Sequence, residues 1–314
     1  MKNNKTLAVA ILAGTLATSA LGSTIFITSR DGGSADLYQY GLNGVQLATL
    51  PGNGLINGQG LTLGVNGNLF VSSENGVVLQ YNPTSGAFIS TFASGLGSGG
   101  PLILGPDGNL YLGSGGVVKK LNGTTGALIG SIGATTGLNS VSGLAFDGAG
   151  NLYAGDGVTG LINKYDSAGL LVSNFVSGNA ALAHGAGPLL FNGTTLLVSA
   201  TFGSSGQNWG SKILAFGSDG SALPDFASDS HLNGPAGMAF GPDGNLYVVN
   251  YVGGNVVRFS NIGAYIDTFI ANNPPTGRGI VFALDAPVNG VPEPATAALL
   301  GGGLLALGLR LKRR

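Results

Sequence analysis

The chain has 314 residues, of which 44% are hydrophobic and 9% charged, with 58 glycines and no cysteine. The lack of cysteine excludes disulfide stapling, thiol catalysis and thiolate metal sites, and the hydrophobic content argues against disorder despite the abundant glycine. The net charge is −1, but residues 23–290 alone hold seven basic and thirteen acidic residues, a net charge of −6. Because this body has no basic patch, nucleic acid is not an expected partner.

The first 22 residues have the organisation of a secretory signal peptide. MKNNK is a basic start, residues 6–16 are an apolar run, and residues 17–22 are mostly small and suit a cleavage site. A buried N-terminal helix is the alternative interpretation, but it would not account for Lys2 and Lys5. We therefore predict a signal peptide over residues 1–22 and export across the inner membrane.

One sequence unit then recurs along the chain, and its most regular element is an Asn-Leu-aromatic tripeptide. The copies begin at Asn68, Asn109, Asn151 and Asn245, with a degenerate copy at Thr195. Successive offsets are 41, 42, 44 and 50 residues. A short apolar strand and a Gly-rich turn precede the tripeptide, and two further strands follow it. This period and order are typical of a four-stranded propeller blade. We expect the Asp residues of the turns to have a structural role, with metal binding as the alternative.

The strands left over at the two ends of the repeat region complement one another. An unpartnered first strand covers residues 279–282, whereas three strands without a first one cover residues 24–29, 36–40 and 45–50. Together they make a sixth blade that closes a ring and protects its edges, which an open β-solenoid would not require. We therefore predict an all-β fold, a six-bladed β-propeller over residues 23–288 that is closed by N- and C-terminal strands.

The unit, with Asp-Gly-Asn-Leu-Tyr at residues 107–111 and 243–247, resembles NHL-type repeats. More distantly, it is similar to gluconolactonase and virginiamycin-lyase propellers. The resemblance covers most of residues 24–285 and implies the fold but no single function, because propellers host enzymes, binders and scaffolds. Gluconolactonase-like propellers build a Ca²⁺ site from several acidic ligands, yet Glu74 is the only Glu of the body. We expect no cofactor, with Ca²⁺ as the alternative.

In propellers of this kind, sites gather at one mouth of the central channel, where second strands end and first strands begin. The predicted second-strand ends are Ser29, Ser73, Ser114, Asp156, Ala200 and Asn250. The residues near the starts of the first strands include Asn57, Gln59, Ser142, His184, Asn233 and Arg278. Together these residues predict a polar ring with one carboxylate, one imidazole and one guanidinium.

This ring suggests a catalytic hypothesis. His184 would be a general base, Asp156 would orient it or bind a metal, and Arg278 would hold an anionic group. The alternative is that these side chains only hydrate the channel mouth.

A second set of residues suggests a binding site. Trp209 is the only Trp and lies in an insertion over residues 201–210 that lengthens one loop. It could anchor a ligand from this loop or pack against the neighbouring blade, and both interpretations stay open. Asn233 and Asn250 are the other ligand-binding candidates.

The C-terminal 24 residues form a separate segment. Its motif comprises Val291, Pro292, Glu293 and Pro294. Residues 295–309 are then uncharged and mostly apolar, and residues 310–314 hold a basic cluster. Fifteen residues give roughly 22 Å of helix, short of the bilayer's ~30 Å hydrocarbon core.

This segment resembles a PEP-CTERM sorting signal. The resemblance implies a short transmembrane helix, processing by an exosortase-type enzyme, and location at the cell surface or outside the cell. A plain anchor is the alternative, and whether the mature protein is released or anchored stays open.

These observations favour a non-enzymatic binding or scaffold protein of the envelope or exopolysaccharide. Its partners would be the processing enzyme and an extracellular polysaccharide or envelope protein. The alternative is a lactonase- or lyase-type enzyme with its site at the channel mouth. A purely structural surface protein is the third possibility.

Overall fold

A computed structural model describes residues 23–30, 37–202, 209–271 and 276–284. These residues form six four-stranded antiparallel sheets, which confirms the predicted six-bladed propeller. The predicted signal peptide, sorting motif and C-terminal helix lie outside the described residues. Within the described ranges, no helix is long and apolar enough to cross a membrane.

Each blade runs from an inner strand at the channel to an outer strand at the perimeter, and the blades are numbered in chain order. Blade 1 comprises Gly58–Leu63, Leu69–Ser73, Val78–Tyr81 and Phe88–Ala93. Blade 2 comprises Leu102–Leu104, Leu110–Ser114, Val117–Leu121 and Leu128–Ile132. Blade 3 comprises Val141–Phe146, Leu152–Asp156, Ile162–Tyr165 and Leu171–Val176.

The second half of the ring repeats this order. Blade 4 comprises Leu189–Asn192, Thr195–Phe202, Trp209–Phe216 and Ala227–Ser228. Blade 5 comprises Pro235–Phe240, Leu246–Asn250, Asn255–Phe259 and Tyr265–Ile270. Blade 6 comprises Gly277–Ala283, Thr24–Ser29, Leu37–Gly41 and Gln46–Leu50. A 3₁₀ helix, Ala180–Leu182, lies between blades 3 and 4.

The Asp-Gly-Asn-Leu-Tyr segment forms a hairpin turn with its own set of polar contacts. In blade 2, the Asp107 carboxylate accepts hydrogen bonds from the Asn109 amide groups and from the Tyr111 hydroxyl, the last at 3.1 Å. It also pairs with Lys120 Nζ at 2.7 Å. Blades 3 and 5 repeat this arrangement around Asp147 and Asp243. The recurring sequence is therefore the signature of a hairpin that is fixed by one carboxylate.

The apolar core lies between blades and not within them. The described residues form six hydrophobic clusters, each made by two neighbouring blades. Successive side chains of a strand point to opposite faces, so Phe26 packs towards blade 1 whereas Ile25 and Ile27 pack towards blade 5. Both faces of each second strand are consequently covered, and these strands read as continuous apolar runs.

Glycines allow the inner strands to approach one another closely around the channel. A Cβ on Gly143 would lie 2.3 Å from the carbonyl oxygen of Gly187 in the segment leading into blade 4, and one on Gly237 would lie 2.3 Å from that of Arg278 in blade 6. Real Cβ atoms do not come this close to a backbone oxygen. The narrow channel thus depends on residues without side chains at these positions.

The sixth blade joins the two ends of the chain as the leftover strands predict. The inner strand pairs with Thr24–Ser29, from Thr24 opposite Ala283 to Ser29 opposite Gly277. The Thr28 hydroxyl accepts a hydrogen bond from Gly279 N at 2.9 Å and donates one to Gln59 O at 3.0 Å in blade 1. The Thr28 side chain therefore connects the N-terminal strand both to the inner strand of its own blade and to blade 1.

Candidate functional site

A cavity of about 400 Å³ occupies the channel and is lined by the inner strands of all six blades. It extends to the end of the ring at which the second strands finish, which we call the mouth. The Asp-Gly turns lie at the opposite end, which we call the turn end. The mouth is therefore where the predicted polar ring should stand.

The residues that end the second strands do not line this cavity. Ser73, Ser114, Asp156 and Asn250 are each at most 9% exposed, and none of them is among the cavity-lining residues. Their polar groups bind instead the loop that leads into the same blade. The Ser73 hydroxyl, for example, contacts the backbone N–H and C=O of Ile56 at 2.7 and 2.8 Å.

Asp156 is the clearest case of this bracing. Its carboxylate accepts hydrogen bonds from the backbone N–H groups of Asn139, Ser140 and Val158. It also accepts bonds from the Asn139 side-chain amide at 2.9 Å and from the Thr159 hydroxyl at 2.7 Å. Burial alone would raise the pKa of Asp156, but these hydrogen bonds lower it below its ordinary value. The Asp156 carboxylate is therefore buried and ionised, and it fixes the loop that leads into blade 3 to the end of the second strand of that blade.

Asn250 plays the same part in blade 5. Its side-chain oxygen accepts a hydrogen bond from Asn233 N at 2.9 Å, and its side-chain amide donates to His231 O at 2.7 Å. Asn233 is exposed in this loop and does not line the cavity. The two predicted ligand-binding residues are thus hydrogen-bonded to each other, through the backbone of Asn233 and the side chain of Asn250.

The residue one position further along the chain is the one that reaches the cavity. In five of the six blades the next residue lines it, namely Arg30, Glu74, Gly115, Gly157 and Thr201, whereas Tyr251 of blade 5 is not among the lining residues. Except for Thr201, each of these five lining residues is the first one after its second strand, so the start of the following loop lines the cavity and not the strand itself. The ring positions predicted at the second-strand ends are therefore one residue too early in these blades, whereas Gln59, Ser142 and Arg278, predicted near the starts of the first strands, do line the cavity.

The cavity has two unlike sides. The charged wall, in blades 6 and 1, comprises Arg30, Gln59, Glu74 and Arg278. The glycine wall, contributed by blade 2 to the entry of blade 4, comprises Gly115, Gly157, Gly185 and Gly187. The first wall offers charged side chains to a ligand. The second offers backbone groups, with open space beside Gly115.

Glu74 is the centre of the charged wall. Arg30 forms an ion pair with its Oε1 at 2.9 Å. The side-chain amide of Gln59 donates to the same oxygen at 2.8 Å, and that of Asn57 donates to Oε2 at 2.7 Å. The polar ring predicted from sequence includes Asn57 and Gln59 but neither Arg30 nor Glu74. Three donors from two blades therefore hold this carboxylate in place.

Arg278 lines the cavity as predicted. Its guanidinium carbon lies 4.4 Å from the centre of the Tyr251 ring, a cation–π arrangement. Its Nε is buried without a hydrogen-bond partner in the described part of the chain. Burial lowers the pKa of Arg278, and the like charge of Arg30 lowers it further.

The other predicted site residues lie elsewhere. His184 is exposed in the turn after the 3₁₀ helix and is not among the lining residues, so neither it nor Asp156 joins Arg278 at the cavity. The backbone of Trp209 begins a strand and pairs with Phe202, so this residue lies at a strand end where a loop was expected. Across the described residues, no group of three or more His, Asp or Glu could hold a metal ion.

Comparison with known proteins supports both parts of the sequence interpretation. Residues 290–314 match the family model of the PEP-CTERM protein-sorting motif, which confirms the prediction made from Val291, Pro292, Glu293 and Pro294. The motif implies export and exosortase-mediated sorting to the cell surface. No curated protein sequence matches the chain significantly.

Solved structures resemble the propeller at low sequence identity. A chain in the crystal structure of a nidogen/laminin complex gives a TM-score of 0.64 at 17% identity, over 85% of this chain and 100% of that one. A gluconolactonase from Xanthomonas campestris gives 0.56 at 18%, over 71% and 78%. Virginiamycin B lyase from Staphylococcus aureus gives 0.54 at 14%, over 71% and 73%. These matches show the fold alone, and the predicted resemblance to the last two propellers is confirmed.

Proposed function

We propose that this chain is a propeller of the cell surface or extracellular space that binds a polysaccharide at its channel mouth and catalyses no reaction on it. The sorting motif supports the location. The observation that carries the binding site is the open cavity of about 400 Å³ with one charged wall and one glycine wall. Its volume is typical of sites that hold a small ligand or a short segment of a longer one.

The chemistry of the walls favours a polar chain as ligand over a protein surface. Protein interfaces have an apolar centre with aromatic anchors. None of the described residues that line this cavity is aromatic, and beside aliphatic side chains such as Leu61, Val141 and Met238 it presents an ion pair, an amide and glycine backbone. Sugar hydroxyl groups both donate and accept hydrogen bonds, so backbone and amide groups complement them. Binding of an envelope protein at the mouth would instead require contacts outside the cavity.

A steric block at the mouth tests the proposal. Ser98 is exposed and lines the cavity, so Ser98→Trp should fill part of it without disturbing a buried contact. We expect this variant to lose at least five-fold in affinity for the polysaccharide that the full-length protein binds best. Affinity electrophoresis against a panel of neutral and acidic polymers measures this change.

Ser173→Trp is the matched control, because Ser173 is exposed on the outer strand of blade 3, away from the channel. It should bind as the unchanged protein does. If both variants keep full affinity, the mouth is not the site. If no polymer is retained, polysaccharide binding itself is wrong.

A lactonase- or lyase-type reaction through His184, Asp156 and Arg278 is the alternative proposal. The resemblance to propellers that include such enzymes supports it at the level of fold. Against it stand the five hydrogen bonds that the Asp156 carboxylate already accepts and the exposed position of His184. This alternative requires turnover of a substrate such as δ-gluconolactone that His184→Ala abolishes.

A further inference from the structure

We infer that the charged wall binds the carboxylate of an acidic sugar, so that the ligand is a uronate-type polysaccharide and not a neutral one. This inference rests on the proposed function, because it names the ligand class of the same site. It starts from Arg278, whose charge the described residues do not balance.

The charge at the mouth can be counted residue by residue. Arg30 and Glu74 form an ion pair and neutralise one another. None of the ion pairs among the described residues includes Arg278. The wall therefore carries one excess positive charge, in a body whose net charge is −6. A local cation in an acidic body attracts an anionic group to that spot.

The surroundings of Arg278 partly desolvate its guanidinium, which costs stability. The residue is half-buried, its Nε has no hydrogen-bond partner in the described part of the chain, and the Tyr251 ring covers the guanidinium at 4.4 Å. Burial and Arg30 lower the pKa of Arg278, and they outweigh Tyr251 and Glu74, which favour its charged form. A partly desolvated cation without an ion pair of its own destabilises a fold unless something offsets it. An anion that enters through the cavity would do so. The Arg30 guanidinium, whose repulsion lowers the pKa of Arg278, would attract the same anion.

The shape of the group favours a carboxylate. A guanidinium offers parallel N–H donors that match the two oxygens of a carboxylate, and its flat face can remain on an aromatic ring at the same time. One excess positive charge is balanced by one carboxylate. Space for the sugar ring that carries it lies beside Gly115, where no atom of the described residues comes within 4 Å of the Cβ position, whereas the other three glycines of that wall are closely packed.

Tetragalacturonate and its methyl ester separate charge from shape, because they differ only at the carboxyl groups. We expect the full-length protein to bind the acid at least ten-fold more tightly than the ester in isothermal titration at low salt. Raising the salt concentration to 0.5 M should remove most of this difference. Equal affinity for the two probes would overturn the inference.

Two variants of the charged wall should change affinity in opposite directions. Arg278→Gln removes the excess charge and should weaken acid binding about ten-fold while ester binding stays the same. Glu74→Gln releases Arg30 from its ion pair and should strengthen acid binding several-fold. If Arg278→Gln does not fold, the expected gain in Glu74→Gln still tests the inference. Unchanged acid binding in Glu74→Gln would contradict it.

Arg258→Gln is the matched control. Arg258 also lies over a tyrosine, at 5.8 Å from the Tyr247 ring, but it pairs with Asp267 and Asp243 at the turn end of blade 5. Its replacement should leave acid binding unchanged. A protein that binds acidic and neutral polymers equally overturns this inference and leaves the proposed function standing, whereas a protein that binds neither overturns both.

Discussion

At the scale of single residues, two adjacent positions have different roles: one binds a neighbouring loop and the next lines the cavity. Ser73 ends a second strand and binds its own loop, whereas Glu74 lines the cavity. Sequence could predict that polar residues end these strands, but not which of them faces the channel. The reason is that all five residues of Leu69–Ser73 are buried, so no alternation of polar and apolar residues reveals the phase of the strand.

The ion pair of Arg30 with Glu74 was equally hidden from sequence analysis. The two residues belong to different blades, and the loop that brings Asn57 to the same carboxylate has a left-handed backbone there, with φ of 51°. Such a conformation is uncommon for a residue other than glycine. Hydrophobic periodicity carries no information about contacts of this kind.

The Asp107 turn predicts a dependence of stability on pH. Burial alone would raise the pKa of Asp107, but hydrogen bonds from Lys120, Asn109 and Tyr111 lower it from 3.8 to about 2. The carboxylate therefore stabilises the fold fully above pH ~4, and this contribution is lost as the pH falls towards 2.

Asp107→Asn should remove about 1 kcal/mol at pH 6, a value reduced for the partial exposure of the group. It should also lose less stability than the unchanged protein between pH 6 and pH 3. Urea unfolding at the two pH values measures both effects. An equal loss in the two proteins would show that Asp107 does not contribute.

At the scale of elements, the hairpins fall into a charged and a neutral class. In blades 2, 3 and 5 an Asp, a Tyr and a Lys or Arg occur together, as in Asp147, Tyr153 and Lys164. In blade 1 the same places hold Asn66, Phe70 and Gln80. All three residues differ together, because a charged member without its partners would be left unpaired near buried strands. The Asp-Gly turn was predictable, whereas the Lys and Arg partners were not.

The inner strands give a second prediction. Gly237→Ala would place a Cβ 2.3 Å from the backbone oxygen of Arg278, and the ring would have to widen to admit it. We expect a loss of about 1–3 kcal/mol in the free energy of unfolding, as for other overpacked sites. Chemical denaturation measures this loss.

Gly130→Ala is the control for this substitution. Gly130 lies in an outer strand with no atom within 4 Å of the added Cβ. Its replacement should leave stability unchanged or raise it slightly, because alanine restricts the unfolded chain. Equal losses in both variants would mean that the glycines act through flexibility and not through close approach.

At the scale of the whole molecule, no blade has a core of its own. Each of the six hydrophobic clusters needs two neighbouring blades, so the stability of every blade depends on a closed ring. Closure was predictable from sequence because the leftover strands at the two ends add up to one blade. The full set of side chains that line the cavity was not, since some of them, such as Glu74 and Ser98, lie in loops.

Removal of the last strand tests this dependence. A chain that ends at residue 275 lacks Gly277–Ala283, and it leaves Thr24–Ser29 with one unpaired edge. We expect it to melt about 10 °C or more below a chain that ends at Leu284, or to aggregate. Circular dichroism and size-exclusion chromatography compare the two. Melting temperatures within about 2 °C of each other would show that closure contributes little.

The join between the two ends also sets the shortest time in which the ring can close during synthesis. The hydrogen bond from Gly279 N to the Thr28 hydroxyl joins two residues that are 251 positions apart, so it cannot form until Gly279 has been synthesised. At about 5–20 residues per second, synthesis takes roughly 13–50 s to supply that partner. Throughout this interval Ile25, Phe26 and Ile27, which are fully buried at the end, face the surroundings on one side. Until the last strand arrives, the first strand keeps an unpaired edge at which other chains could pair.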